Sequence, residues 1–583
     1  MSRSGPRAIA CDVLVVGSGA AGLAAAVTAA AHGLKVVVAE KTAHVGGTSA
    51  WSGGWLWIPM NPLARKAGIV EEIDAPLAYL RSEIGNRAGD PRIAAYLRNG
   101  PEMVEFFAAN TDVVWIDGNR IPDFHPTPGA RSGGRSVCAA PFDGRRLGPW
   151  LARLRPPLGI VSLAGMGIAS GADMAHFFKA TRAPRSALHV ARRLVRHARD
   201  MLTAGRSTQL VNGNALVARL LASAVARDVD ILTGAPAVAL IAKDGRVTGA
   251  RLQRGGVPVE VSARRGVVLA AGGFPHDRAR IAALFPHAAD GSGHHSAAPA
   301  TNTGDGLRLG EQAGGRVATD LADPAAWAPV SLVPLGPGET GHFPHLVERA
   351  KPGIIAVGAD GRRFVNEADS YHDFMRALFR TAPAGQTPHA WLIADHRALR
   401  RWGLGWVKPF PFPLRGALAR GYLKRGRTVA GLAAACGLPA DALAETLARF
   451  NRQAAQGEDG DFGRGRSPYN RAQGDPDHRP NPSLAPLDRP PYYAVKVVPG
   501  SLGTFAGLET DAMARVLDAA GRPLPGLYAA GNDMASIFGG NYPSGGITLG
   551  PAMTFGYIAG RALAGLPVTG VDAPATTDAK ERT

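Results

Sequence analysis

Hydrophobic positions first concentrate in DVLVVG, Asp12 to Gly17, an unbroken apolar run of the length expected of a β-strand. SGAAGLAAAVTAAAHG follows, rich in alanine and closing at Gly33, and predicts a helix. A second apolar run, LKVVVAE, ends in an acid at Glu40 and predicts a second strand. Strand, helix and strand in this order predict a βαβ unit and an α/β fold. The pattern changes twice further on. GRVTGARLQRGG with SARRGVVLAAGG predicts an antiparallel hairpin and then a strand ending at Ala270, while GLYAAGN near the C-terminus predicts a strand leading through a loop into a helix.

The first unit carries Gly17, Gly19 and Gly22 as G-x-G-x-x-G, the spacing of a dinucleotide-binding turn. Gly17 permits the tight turn, Gly19 lets backbone approach a pyrophosphate, and Gly22 lets the helix pack closely on the sheet. The helix N-terminus at Ala20 and Ala21 offers N–H groups and partial positive charge to phosphates. Glu40 closes the second strand where a carboxylate can accept both ribose hydroxyls, which disfavours a 2′-phosphate. The continuation EKTAHVGGTSAWSGGWLWIP separates FAD from a nicotinamide cofactor. Its small residues Gly46, Gly47, Thr48, Ser49, Ser52, Gly53 and Gly54 make a backbone-rich loop able to run beside a pyrophosphate and a flavin ring.

Together with SARRGVVLAAGGFPHD and LPGLYAAGNDMASIFGGNYPSGGITLGPAMTFGYIAGRALAG, the N-terminal motif resembles the fumarate reductase and 3-ketosteroid dehydrogenase flavoprotein superfamily over almost the whole chain. GGITLGPAMTFGYIAGR is similar to the 3-ketosteroid Δ1-dehydrogenases in particular. The resemblance implies a Rossmann-like FAD-binding domain split in sequence, residues 1–320 and 500–583, with an inserted α+β catalytic domain at 321–499. It implies non-covalent FAD contacts from Lys41, Ala271, Gly272, Gly273 and Asp305, and from Gly531 and Asn532 at the ribityl chain or pyrophosphate. Ala237, in GAPAVALI, is implied at the adenine through its backbone. Ile547, Thr548 and Leu549 are implied to offer N–H groups near flavin N1 and O2, where a helix N-terminus favours an anion.

Desaturating a C–C bond next to a ketone needs a donor to polarise the carbonyl, a base for the α-proton and a hydride acceptor. The resemblance implies Tyr542 and Gly546, in NYPSGG, as the ketone-binding pair. It implies Tyr371, which follows GRRFVNEADS, as the base. A tyrosine that assists the base in the Δ1 enzymes has no counterpart in IPDFHPTPGARSGGRS, where Phe124 and His125 stand instead; either His125 is a replacement acceptor or the assisting role is absent. Ser544, two residues after Tyr542, resembles the Tyr-x-Ser pair of the Δ4-(5α)-dehydrogenases and reads equally as a turn residue. His372 is expected beside the site or exposed. Arg135 and Arg376 keep a third reading open, a fumarate- or urocanate-type reductase that clamps a carboxylate.

At 583 residues the chain exceeds one ordinary domain. With 46% hydrophobic and 19% charged residues it is globular, disorder being expected only at the ends, above all from Asp572 to Thr583. Cys11, Cys138 and Cys436 form no metal or disulfide spacing. The apolar run from Val13 is too short for a signal-peptide core, which predicts a cytoplasmic protein. A net charge of +18 suggests anionic partners or merely an arginine-rich composition, and no nucleic-acid-binding signature accompanies it. Basic clusters at Lys179 to Arg206 and Arg400 to Arg427 are compatible with peripheral contact at the inner face of a membrane, and equally with solvated helices and a substrate lid. The expected partners are a hydrophobic, steroid-like ketone and a quinone or other electron acceptor. Trp51, Trp55, Trp57 and Phe374 suit a flat apolar substrate or a core. A flavin-bearing protein without turnover is a further alternative.

Overall fold

The computed structural model describes residues 7–383 and 385–571. The tail from Asp572, expected to be disordered, lies outside the described residues.

β1 (Arg7–Val16), α1 (Ala20–Ala31) and β2 (Val36–Glu40) form the first βαβ unit, with Val13 opposite Val36 in parallel register. Their apolar runs are continuous because both faces of this sheet are covered. β1 begins earlier than its apolar pattern predicts: past a bulge, Arg7 to Cys11 pair with Val259 to Ala263, and backbone pairing holds a segment whose side chains carry little signal. α2 (Pro184–Ala204) is the long basic helix, and β3 (Asp230–Thr233), β4 (Ala237–Lys243), β5 (Arg246–Arg254) and β6 (Val257–Leu269) follow.

A second sheet is built within residues 354–497 from β7 (Ile354–Val357), β8 (Ala390–Asp395), β9 (Lys424–Gly426) and β10 (Tyr492–Val497), in the antiparallel order β7-β8-β10-β9. Helix α3 (Tyr371–Thr381) buries Phe374 and Met375 in the core beneath it. The chain then returns to the first sheet with β11 (Arg515–Leu517) and β12 (Pro523–Ala529), and ends in α4 (Leu549–Leu563). The first sheet therefore runs β11-β12-β6-β1-β2-β3, with β5 pairing β6 and β4 pairing β5.

Parallel pairing of β2, β1, β6 and β12 brings their C-terminal ends to one edge, the position at which α/β sheets bind ligands. The strand ends are bonded there in series. Gly17 N donates to Ala39 O (2.8 Å), Ala270 N to Val16 O (2.8 Å) and Ala530 N to Leu269 O (2.9 Å). α4 crosses α1 at close range because Gly556 and Gly560 lack side chains: a β-carbon on Gly556 would lie 2.4 Å from Ala21 O, and one on Gly560 2.9 Å from Ala25 O.

Among the described residues no helix is long and apolar enough to cross a membrane. α2 nevertheless exposes Leu188, Leu194, Val195, Met201 and Leu202 among its arginines.

Candidate active site

One cavity of about 1020 Å³ opens at the C-terminal edge of the parallel sheet and continues toward the second sheet. Small-molecule pockets ordinarily span about 300–1,000 Å³, so there is room here for a large cofactor and a substrate together.

The nucleotide end is made by the first βαβ unit. Gly17 has a φ of +107°, and a β-carbon there would lie 2.2 Å from Ala270 O, so only glycine makes this turn. Helix α1 starts at the cavity wall with Gly19, Ala20 and Ala21, its cap residue Gly19 has no side chain to offer, and no acid occupies its first turn. Its N–H groups and positive dipole end therefore face the space. Only Ala20 N is engaged by a neighbouring side chain, Ser49 Oγ at 3.0 Å. Glu40 is fixed by three donors: Ser18 N (3.2 Å) and Ser18 Oγ (2.5 Å) on Oε2, and Thr42 N (2.8 Å) on Oε1. Lys41 bridges to Thr303 Oγ1 and Asp305 Oδ2, both at 2.7 Å, and so ties β2 to the helix that Asp305 opens.

The sequence-derived cofactor residues divide into two groups. Gly17, Gly19, Ala20, Ala21, Glu40, Lys41, Gly47, Thr48, Ser49, Ser52, Gly53 and Gly54 line the cavity, as do Ala237, Ala271, Gly272, Asp305, Gly531, Asn532, Thr548 and Leu549. Gly22, Gly46, Gly273 and Ile547 do not; they stand behind the lining and shape it. A β-carbon on Gly22 would lie 2.0 Å from Gly17 O, Gly46 N donates to Ser18 Oγ (3.1 Å), Gly273 N donates to Asp533 Oδ1 (2.9 Å), and Ile547 is buried ahead of α4. A second uncapped helix start meets the space at Thr548 and Leu549, where α4 has neither a side-chain cap nor an acid in its first turn.

At the other end Tyr371, Tyr542 and Gly546 share the wall with Phe124 and Tyr469. Tyr371 is the first residue of α3, whose cap is Ser370, accepting from Asp373 N (3.1 Å). Tyr542 sits in a loop tied down through its neighbour: Pro543 O accepts from Tyr79 Oη (2.5 Å) and Phe124 N (3.0 Å). Gly546, at φ +99°, packs directly on the 55–57 strand, and its carbonyl accepts from Trp57 N (3.2 Å) and Gly550 N (2.9 Å). The three phenols gather around Phe124, whose ring centroid lies 5.7 Å from Tyr542, 5.8 Å from Tyr371 and 4.5 Å from Tyr469. Burial, then the adjacent Tyr542, push Tyr371 well above the usual tyrosine range, with Arg349 pulling weakly the other way. Burial pushes Tyr542 up to about 12 against the hydroxyls of Tyr371 and Thr548.

His125 lies off the cavity wall. Its Nδ1 meets Glu83 Oε2 (2.5 Å) and its Nε2 meets Asp373 Oδ2 (2.7 Å). Burial alone would lower its titration, but hydrogen bonds to Asp373 and Glu83 outweigh this and push it up to about 10. It is thus a cation held between two carboxylates, with no lone pair free to accept a proton from Tyr371. Ser544 is buried and also off the wall. His372 is buried rather than exposed, bonded to Trp327 N (3.2 Å) and Asp323 Oδ2 (3.1 Å). Neither arginine of the carboxylate-clamp alternative reaches the space: Arg135 is buried between Glu71 and Asp123, and Arg376 pairs with Asp323 at 2.5 Å. Trp51 and Trp55 line the cavity, whereas Trp57 and Phe374 belong to the core.

Tyr469, Asn302, Arg155 and Lys351 line the cavity without a sequence signal to single them out. Asn302 Nδ2 bridges Thr48 Oγ1 (3.0 Å) and Gly272 O (3.1 Å), joining the two small-residue loops.

The model of the family described as "FAD binding domain" matches residues 12–549. The 4-oxocyclohex-2-ene-1-carboxylate 5-dehydrogenase of Sinomonas cyclohexanicum is 40% identical over 563 residues, covering 96% of this chain and 95% of that protein. The 3-oxosteroid 1-dehydrogenase of Mycobacterium tuberculosis is 38% identical over 562 residues, covering 94% of this chain and 97% of that protein. The crystal structure of 3-ketosteroid delta1-dehydrogenase from Sterolibacterium denitrificans, in complex with 1,4-androstadiene-3,17-dione, superposes with a TM-score of 0.87 at 37% identity, covering 95% of this chain and 99% of that one.

Proposed function

The chain belongs to the FAD binding domain family and is an FAD-dependent oxidoreductase acting on CH–CH bonds, and from that premise we propose that it desaturates the bond α,β to a ring ketone, in the manner of a 3-oxosteroid 1-dehydrogenase. One observation carries the reading: two uncapped helix starts and the cluster of Tyr371, Tyr542 and Gly546 line the same cavity. The relatives are named for a steroid and for a cyclohexenone carboxylate, and the ring ketone common to both names supports a ring ketone as the substrate class.

The residues present suit FAD. Glu40 takes the adenosine ribose, Ala237 the adenine, and the N-terminus of α1 the pyrophosphate. The loop from Gly47 to Gly54 and the start of α4 take the flavin. When bound, FAD supplies the acceptor for the β-hydride.

Tyr542 and the Gly546 N–H hold the ketone oxygen, and this polarisation acidifies the α-carbon. Tyr371 takes the α-proton. Burial and the neighbouring Tyr542 oppose its ionisation, and the Arg349 guanidinium favours it. Apolar walls from Phe124, Phe178, Leu346 and Val347 keep water from the ring.

The same reading assigns residues 1–320 and 500–583 to the cofactor and 321–499 to the substrate, which the self-contained sheet within 354–497 supports. A quinone is the proposed electron acceptor. Apolar residues exposed among the arginines of α2 support peripheral contact of a cytoplasmic protein with an anionic lipid face. Desaturation at Δ4 is a second reading that the place of Ser544 off the cavity wall disfavours.

The test is anaerobic reduction of the yellow, FAD-loaded protein by 3-ketosteroids and cyclohexanones, followed by NMR of the product. Bleaching with a new double bond next to the ketone is expected. A flavin that no ketone in the panel reduces refutes the reading.

A further inference from the structure

Lys351 is a buried cation in the cavity wall to which the reaction as described gives no task. It is 8% exposed, with its ammonium over the ring of Trp402 at 5.4 Å. It donates to the carbonyls of Gln473 (2.6 Å) and Gly474 (2.7 Å). An ammonium has three N–H donors, so one is left over.

The two carboxylates whose charge acts on it are committed elsewhere. Asp475 pairs with Arg401, and Glu348 pairs with His345 at 2.6 Å. Among the described residues Lys351 enters no salt bridge. Burying a charge without a counter-ion is costly, and burial pulls this ammonium down to about 8. Of the other charged residues that line the space, Arg155 donates to Thr42 Oγ1 (3.2 Å) at the nucleotide end, and Asp117 and Arg120 are exposed. Lys351 is therefore a buried positive charge in a wall to which Phe178, Leu346 and Val347 also contribute.

We propose that Lys351 anchors a carboxylate carried by the substrate, so that the preferred substrates are ring ketones that also bear a carboxylate. This rests on the ketone desaturation proposed above and narrows its substrate class. The anion would meet the spare donor, supply the missing counter-charge and fix which way round the ring enters. A small ring acid and a steroid with an acidic side chain share this chemistry.

The experiment uses the FAD-loaded enzyme and matched pairs in two sizes, cyclohexanone against 4-oxocyclohexanecarboxylate, and 4-androstene-3,17-dione against a 3-oxosteroid carboxylic acid. In at least one pair the carboxylate is expected to have a KM lower on the order of 10- to 100-fold, the worth of a charged hydrogen bond, and the pair that shows it reports the ring size. Lys351→Gln removes the charge but keeps two amide N–H donors for Gln473 and Gly474, and should bring the two members of that pair to the same KM. On unmodified enzyme, the ratio of kcat/KM for carboxylate over neutral ketone should fall as pH rises through about 8, because the ammonium faced by Asp475, Glu348 and Arg401 then loses its proton. Equal KM within both pairs, a preference that survives Lys351→Gln, or a ratio flat across that pH range overturns the anchor. If neutral and charged ketones alike fail to reduce the flavin, the desaturation reading has failed and the anchor falls with it.

Discussion

The rings of Tyr371 and Tyr542 meet edge to face, with centroids 5.0 Å apart and planes at 82°. Burial, and after it the neighbouring Tyr542, hold Tyr371 well above the usual tyrosine range, so it carries its proton at neutral pH. If phenolate is the base, its fraction rises about tenfold per pH unit below its pKa. Stopped-flow reduction by a neutral ring ketone should therefore accelerate with pH up to 10 without levelling off. A plateau already reached at pH 7 would exclude Tyr371 as the group that titrates.

Tyr371→Phe keeps the ring that packs on Phe124 and removes only the proton acceptor. Flavin reduction should slow on the order of a hundred- to ten-thousandfold, the usual worth of general base catalysis. FAD content, read from the visible spectrum, should not change.

Glu40 gathers Ser18 N, Ser18 Oγ and Thr42 N around one carboxylate. In Glu40→Gln an amide group would face donors on both sides. FAD affinity should drop on the order of 10- to 100-fold, as measured by retention on ultrafiltration, and a holoprotein that binds as tightly as before would remove Glu40 from the nucleotide site.

A β-carbon on Gly22 would sit 2.0 Å from Gly17 O, and one on Gly546 2.7 Å from Trp55 O. Both obstacles are backbone and cannot swing aside. Gly22→Ala and Gly546→Ala should each destabilise the fold by about 3 kcal/mol, the upper range for overpacking, visible as lowered denaturation midpoints.

His125 links the helix bearing Glu83 to α3 through Asp373. Its folded-state titration, pushed up to about 10, lies above the ordinary 6.5. The stability it contributes is therefore complete below about 6.5 and is lost as pH rises toward about 10. Melting temperatures should decline across that window, and His125→Gln should flatten the decline.

Much of the cofactor end was readable from the chain because the physics there is local. An apolar run, three spaced glycines and a terminal acid each report on backbone geometry within a few residues. The G-x-G-x-x-G spacing separates Gly22, which packs, from Gly19, which faces the space, but no such spacing says that of the neighbours Gly46 and Gly47 only the second lines the cavity. Tyr371 and Tyr542 were found through motif resemblance, not periodicity. Tyr469 and Lys351 were missed because each is a single side chain in an irregular segment, and only the packing of the second sheet brings them to the wall. The surroundings of His125 were hidden for the same reason. Glu83 and Asp373 are far from it in sequence, and nothing along the chain announces that they enclose it.

The parallel sheet gains β12 only when residues 523–529 dock on Val267 to Leu269. During synthesis, then, most of the polypeptide must leave the ribosome before the exposed border of β6 finds its mate, and until that moment a nascent chain carries an unsatisfied strand edge that invites association with its neighbours. Fragments halted before β12 should accordingly need chaperones to stay in solution, and cofactor uptake should be among the last events of maturation.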